Sequence, residues 1–164
     1  MNKSRRAPNA ANTLPEVLIA VLLVAIFFAS IFELNAVCLR YIEASKEAVA
    51  GIAAVQDRTE LFRNLAFTDL TSSTYMQNLL ATPANGSDLA NRATEVVKLQ
   101  AYPTADGTTQ FTRAAGGSVT RNSLANSLGD GLVQVDVSFT WAATFGQRSR
   151  TEQTTSIISN GQKK

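Results

Sequence analysis

The chain has 164 residues, a formal net charge of +2 and no histidine, a length that holds one domain plus an anchor. Without histidine the commonest general base and metal ligand are missing. The single cysteine, Cys38, makes neither an internal disulfide nor a Cys-x-x-Cys metal site. Charge is uneven along the chain: Lys3, Arg5 and Arg6 give the first eleven residues +3, and the rest, twelve basic against thirteen acidic side chains, carries −1. No basic stripe with interleaved aromatics follows, which argues against a nucleic-acid partner. No nucleophile–base set or cofactor motif stands out, so neither enzyme activity nor a cofactor is expected.

The first element is "AANTLPEVLIAVLLVAIFFASIF", residues 10–32. From Val17 to Phe32 its only polar residue is Ser30. That run spans roughly 24 Å as a helix, and Leu14 and Leu34 extend it towards bilayer thickness. The basic residues before it place the N-terminus in the cytoplasm and the remainder outside. A cleaved secretory signal fits poorly, because Leu34 spoils the small-residue site in "ELNAVC". A lipoprotein cut before Cys38 is disfavoured by branched Val37. A plain, uncut anchor carrying a binding module is the alternative.

Glu16 sits at the front edge of the run. Thr13-Leu14-Pro15-Glu16 is a capping box, with Thr13 as N-cap and Glu16 reaching back to its amide. Pro15 is tolerated in a first turn, and a carboxylate there suits the helix dipole. An acid at the bilayer rim is nonetheless costly and is usually paired or functional.

The segment resembles the N-terminal signature of type IV pilin-like proteins, the prepilins and the pseudopilins of type II secretion. In that family a short basic leader ends in a small residue, followed by an aromatic, then Thr-Leu-x-Glu, then about twenty apolar residues. Lys3, Arg5, Arg6, Thr13, Leu14 and Glu16 match. Ala11 stands where glycine is usual, and Asn12 where phenylalanine or methionine is usual.

The resemblance implies cutting by a prepilin peptidase between Ala11 and Asn12, and methylation of the new Asn12 amine. It further implies that Glu16 neutralises the Asn12 amine of a neighbouring subunit during assembly. The implied partners are the peptidase, other pilin or pseudopilin subunits and the inner membrane. The implied fold is α+β: a long N-terminal helix on a small antiparallel sheet. The two departures favour a minor subunit. The organisation expected is leader 1–11, membrane and assembly helix 12–35, amphipathic stem 36–66, and loops with a small sheet over 67–164.

Beyond Glu33 the helical pattern continues to about Leu65. Leu34, Cys38, Tyr41, Ser45, Ala48, Ile52, Val55, Thr59 and Phe62 form a 4-3-4-3 stripe that predicts the covered face. Cys38 then reads as a small buried hydrophobe. Arg40, Glu43, Lys46, Glu47, Asp57, Arg58 and Glu60 fall off the stripe, and Glu43 with Lys46 or Glu47 reads as ordinary solvated-face charges. Gly51 reads as a bend.

Residues 66–93 read as loop with a short helix near Tyr75–Leu80. "TEVVKLQAY" (94–102) predicts a strand ended by Pro103, and "ADGTTQFTR" a turn and a second strand. "AAGGS" and "NSLANSLGDG" read as loops. "LVQVDVSFTW" alternates Val133, Val135, Val137, Phe139 and Trp141 with polar residues and predicts a strand with one apolar face. "AATFG" turns the chain into a returning strand, "QRSRTEQTTSII". Asp106 and Asp130, in Gly-containing loops, read as turn residues; "SLGDGL" supplies too few oxygen ligands for a calcium site.

Overall fold

The computed structural model describes residues 14–161 except Gln147. It contains four helices and one five-stranded sheet. Helix α1 runs Leu14–Asn64, close to the extent the sequence predicts. Its helical hydrogen bonding is unbroken at Gly51. By internal contacts the chain divides between Tyr41 and Ile42 into two units.

In the first unit the α1 residues are exposed apart from half-buried Val37. Among the described residues this is the one helix long and apolar enough to cross a membrane. Its side chains are rich in Leu, Ile, Val and Phe all round, the pattern of a helix that meets apolar surroundings on every side.

The second unit, from Ile42, is α+β. Its α1 residues form a stem whose inward row is Ala44, Glu47, Gly51, Ala54, Val55, Arg58 and Phe62. Three short helices follow: α2 Phe67–Thr71, α3 Ser73–Leu80 and α4 Asp88–Arg92. The sequence led us to expect mostly loop here, with one helix near Tyr75. Two of these helices, the expected α3 and the unexpected α4, start at serines: Ser72 accepts from the Tyr75 amide and Ser87 from the Ala90 amide, the side-chain caps that open helices. Leu70, Met76, Leu80, Leu89 and Ala90 from these helices are buried. Segments this short have little propensity of their own and form because packing holds them.

The sheet contains β1 Thr94–Ala101, β2 Thr109–Arg113, β3 Val119–Ser123, β4 Leu132–Ala142 and β5 Ser149–Ser159. Its order is β3-β2-β1-β4-β5, and every neighbouring pair is antiparallel. β1 ends at Ala101, just before the cis Tyr102–Pro103 bond. The expected β4–β5 hairpin is present and in register over eleven residue pairs. β3 was not anticipated: "VTRNS" has one apolar residue and no buried face, so period-two reading has no signal there.

Strand alternation builds the core. Val133, Val135, Val137, Phe139 and Trp141 of β4 are all buried, as their spacing predicts. Their antiparallel partners on β1 share the same face: Leu99 opposite Val135, Val97 opposite Val137, Glu95 opposite Phe139. The stem covers this face through Ala54, Val55 and Phe62.

The stem's phase differs from expectation. Of the anticipated stripe, Val55 and Phe62 are buried and Ala48 and Thr59 are half-buried, whereas Leu34, Cys38, Tyr41, Ser45 and Ile52 are exposed. Cys38 lies ahead of the covered stem and is exposed, so it is not the buried hydrophobe expected. Glu47, expected in solvent, and Arg58, expected off the covered stripe, are buried. Small residues decide the phase: Ala44, Gly51 and Ala54 allow the helix to lie close to the sheet. A Cβ on Gly51 would stand 2.5 Å from Trp141 Cη2, so glycine is needed there for the indole to seat.

Candidate assembly helix and its ionic clasps

Glu16 occupies the first turn of α1 and is exposed. Ala11, Asn12 and Thr13 lie outside the described residues, as do Lys3, Arg5 and Arg6. The predicted processing site, the amine partner and the Thr13 cap therefore have no geometry here. What the structure does describe is how α1 divides its surface.

Two clasps fix the stem to the sheet. At the first, Arg58 Nε donates to Glu95 Oε1 at 2.6 Å and Nη2 donates to Oε2 at 3.0 Å. This is a fork-to-fork pair, the strongest geometry for a guanidinium and a carboxylate. Arg58 Nη2 also donates to the Thr82 carbonyl at 2.7 Å, and its guanidinium carbon lies 6.0 Å from the Phe62 ring centroid. Both partners are almost wholly buried. Arg113 of β2, also buried, donates Nη1 to the Ala90 carbonyl at 2.9 Å and adds a second positive charge near Glu95.

Burial pushes the Glu95 carboxyl above its ordinary value, and the attraction of Arg58 and Arg113 offsets this only in part. Taking an ion pair out of water costs nearly as much as the pairing returns, so such a pair specifies alignment more than it adds stability.

At the second clasp Glu47 accepts from three groups. Arg92 Nη2, at the end of α4, donates to Oε1. The Thr144 hydroxyl donates to the same oxygen, and the Thr144 amide donates to Oε2 at 3.1 Å. Burial alone would raise the Glu47 carboxyl, but the Thr144 hydroxyl, Arg92 and the Thr144 amide together hold it below the ordinary range. The clasp joins the stem, α4 and the β4–β5 turn.

The opposite side of the stem has no such cover. Ile42, Ser45, Val49 and Ile52 are exposed, Val49 at 65% and Ile52 at 44%. Steps of three, four and three place them on one seam of the helix. The surface charges Lys46–Glu43 and Arg63–Glu60 are ordinary one-turn pairs, and each contributes little.

Asp106 and Asp130 do not come together as a ligand set. Asp106 forms a bridge with Ser127 and its carboxylate accepts from Asn126, while the Asp130 carbonyl accepts from the Asn160 side chain. Both serve loop structure. Among the described residues no group of three or more acidic or sulfur ligands is placed to hold a metal.

Sequence reasoning left Glu95, Arg113 and Arg92 without comment, set Glu47 in solvent and set Arg58 off the covered stripe. A signal existed for three of them. Glu95 alternates with Val97 and Leu99, Arg113 alternates with Phe111, and Arg58 lies three residues after Val55 and four before Phe62.

Comparisons with protein-family models, with curated proteins and with solved structures find no match for this chain.

Proposed function

We propose that this chain is a structural subunit, a minor one, of a type IV pilus or a type II secretion pseudopilus. It inserts into the inner membrane with its N-terminus in the cytoplasm and its sheet domain outside. A prepilin peptidase cuts it after Ala11, and the Asn12 amine is methylated. It then assembles through α1, with Glu16 pairing to the Asn12 amine of a neighbouring copy or related subunit. No catalytic step is assigned to it.

The observation that carries this reading is the division of α1's surface. One face of the stem is held by an ion pair to the sheet, a second ion pair to α4 and a seated tryptophan. A separate apolar seam on the same stem, and the whole apolar segment before Tyr41, are left bare. Exposed apolar surface of this extent marks an interaction site. A helix needed only as a tether has no use for a bare seam beyond the membrane. Glu16 supplies what the seam lacks, a charged group able to fix register within an apolar bundle.

The test is the N-terminus of the protein purified from its native membrane, read by mass spectrometry. The expected result is a start at N-methylated Asn12. A start at Met1 would leave an uncut, membrane-anchored module, with Glu16 a helix cap. Glu16→Ala is expected to be cut normally and to enter filaments poorly; normal incorporation would remove the assembly role.

A further inference from the structure

The chain holds two Asn-Gly pairs, Asn85-Gly86 and Asn160-Gly161. In such a pair no side chain stands beside the amide nitrogen that follows the asparagine, so that nitrogen can approach the asparagine's own side-chain carbonyl carbon. The structure treats the two pairs differently.

Asn85 is half-buried in the loop between α3 and α4. Its Oδ1 accepts from the Ser87 amide at 3.1 Å and from the Ser87 hydroxyl at 2.6 Å. These bonds fold the side chain forward along the backbone towards Gly86, and both donors draw electrons away from Cγ. Its Nδ2 donates to the Asp57 carboxylate on the stem at 2.7 Å. Asn160 is exposed and has neither feature. Its Nδ2 donates to a neutral group, the Asp130 carbonyl, at 2.8 Å, and among the described residues no donor reaches its Oδ1. Nor does the fold need glycine at position 86. The Gly86 backbone is outside the left-handed region, and a Cβ there would meet nothing within 4 Å.

We infer that Asn85 is a self-modification site. The Gly86 nitrogen attacks Asn85 Cγ and closes a cyclic imide. The Cγ–Nδ2 bond breaks, and Nδ2 leaves as ammonia, carrying the Gly86 proton. The two Ser87 donors stabilise the negative charge that forms on Oδ1, and the Asp57 carboxylate stabilises the positive charge that forms on the departing nitrogen. Water then opens the ring and leaves aspartate or isoaspartate at position 85. Water is the one co-reactant.

The reaction changes how this loop is held. Two neighbouring stem residues tie it down: Asp57 accepts from Asn85, and Arg58 Nη2 donates to the Thr82 carbonyl at 2.7 Å. Conversion turns the first tie into two facing carboxylates, which repel. Isoaspartate also lengthens the backbone just ahead of Ser87, the residue that caps α4. The step is a one-way release of the loop from the stem, and it does not depend on the filament role proposed above.

The experiment incubates the full chain in micelles at neutral pH and follows both asparagines by peptide mass spectrometry that separates asparagine, aspartate and isoaspartate. Conversion at position 85 should run about tenfold faster than at position 160, a small share of what oxyanion donors supply in an active site. In urea, where only the shared dipeptide remains, the two rates should converge. Gly86→Ala should slow position 85 about as much with no loss of Tm. Asp57→Asn, which keeps an acceptor for Nδ2 and removes the charge, should slow position 85 and leave position 160 alone. Amide exchange in α4 should quicken as conversion proceeds. Conversion at position 160 as fast as at position 85, a rate difference that survives urea, or an Asp57→Asn rate equal to the parent's overturns the inference. Unchanged α4 exchange in the converted chain overturns the release.

Discussion

Leu14–Tyr41 and Ile42–Asn64 belong to one hydrogen-bonded helix, yet they treat charge in opposite ways. The first stretch is apolar almost throughout, with Glu16 in its first turn, and is exposed nearly everywhere. The second carries seven charged residues and buries two of them, Glu47 and Arg58. In the first stretch, apolar character goes with exposure. In the second, the residues that fix the helix in place are charged and small, while Ile42, Val49 and Ile52 stay outside. Hydrophobicity alone thus points the wrong way in the stem.

The sharpest way to break that comparison is to remove one charge of the buried pair. Arg58→Ala leaves Glu95 buried without its main partner and should cost about 3–5 kcal/mol, measured by urea unfolding of the full chain in micelles. A loss below about 1 kcal/mol would mean that Glu95 finds water or a proton at little cost. Replacing both residues, Arg58→Met with Glu95→Leu, should recover most of the loss.

Gly51→Ala comes next. In an exposed helix this change adds about 1 kcal/mol of stability. Here the new methyl would overlap the buried Trp141 indole, so the expectation is a net loss of about 1–3 kcal/mol. A gain in Tm would show that Trp141 can shift and that the close approach is not required.

Glu47→Gln keeps the shape and removes the charge, for an expected loss of about 1 kcal/mol at neutral pH. The pH dependence separates the two clasps. Glu47's folded pKa lies below its unfolded value, so its contribution is present above the unfolded pKa and is lost as pH falls through the folded one. Glu95's folded pKa lies above its unfolded value, so its contribution is full below the unfolded pKa and is lost as pH rises through the folded one. Glu47→Gln should therefore flatten the acid limb of the stability curve, and Glu95→Gln the rise-side decline. Equal flattening of one limb by both would contradict the assignment.

Ile52→Ser should have the smallest effect on folding, within about 0.5 kcal/mol. It should nonetheless lower the amount of subunit recovered in filaments, because the bare seam is where assembly is proposed. A drop in Tm without a change in recovery would place Ile52 with the core instead.

How much of this was legible in the sequence follows from where period carries information. β4 was legible because its apolar face alternates without exception and its partners cover it fully. The length of α1 was legible because nothing between Leu14 and Asn64 breaks a helix. The phase of the stem was not. Two apolar rows compete there, and the sheet covers the one with small residues and ion-paired charges. The alternation that puts Glu95 beside Val97 and Leu99 was available, as was the 3–4 spacing of Val55, Arg58 and Phe62. Counting charge as solvated by default hid both. The short helices and β3 have no periodic signature, since tertiary packing and serine caps supply their stability. As for the proposed assembly site, Glu16 stands out from sequence alone, and the partner it is proposed to meet lies on another chain.

The second clasp also has a consequence for the order in which the chain is made. Glu47 must wait for Thr144, 97 residues later in the chain, and Arg58 for Glu95, 37 residues later. Until then the stem's inward row faces water, and a purely apolar row would be sticky through most of the domain's synthesis. With Glu47 and Arg58 in it, the unfinished stem stays hydrated on that side and closes only when the right partners arrive.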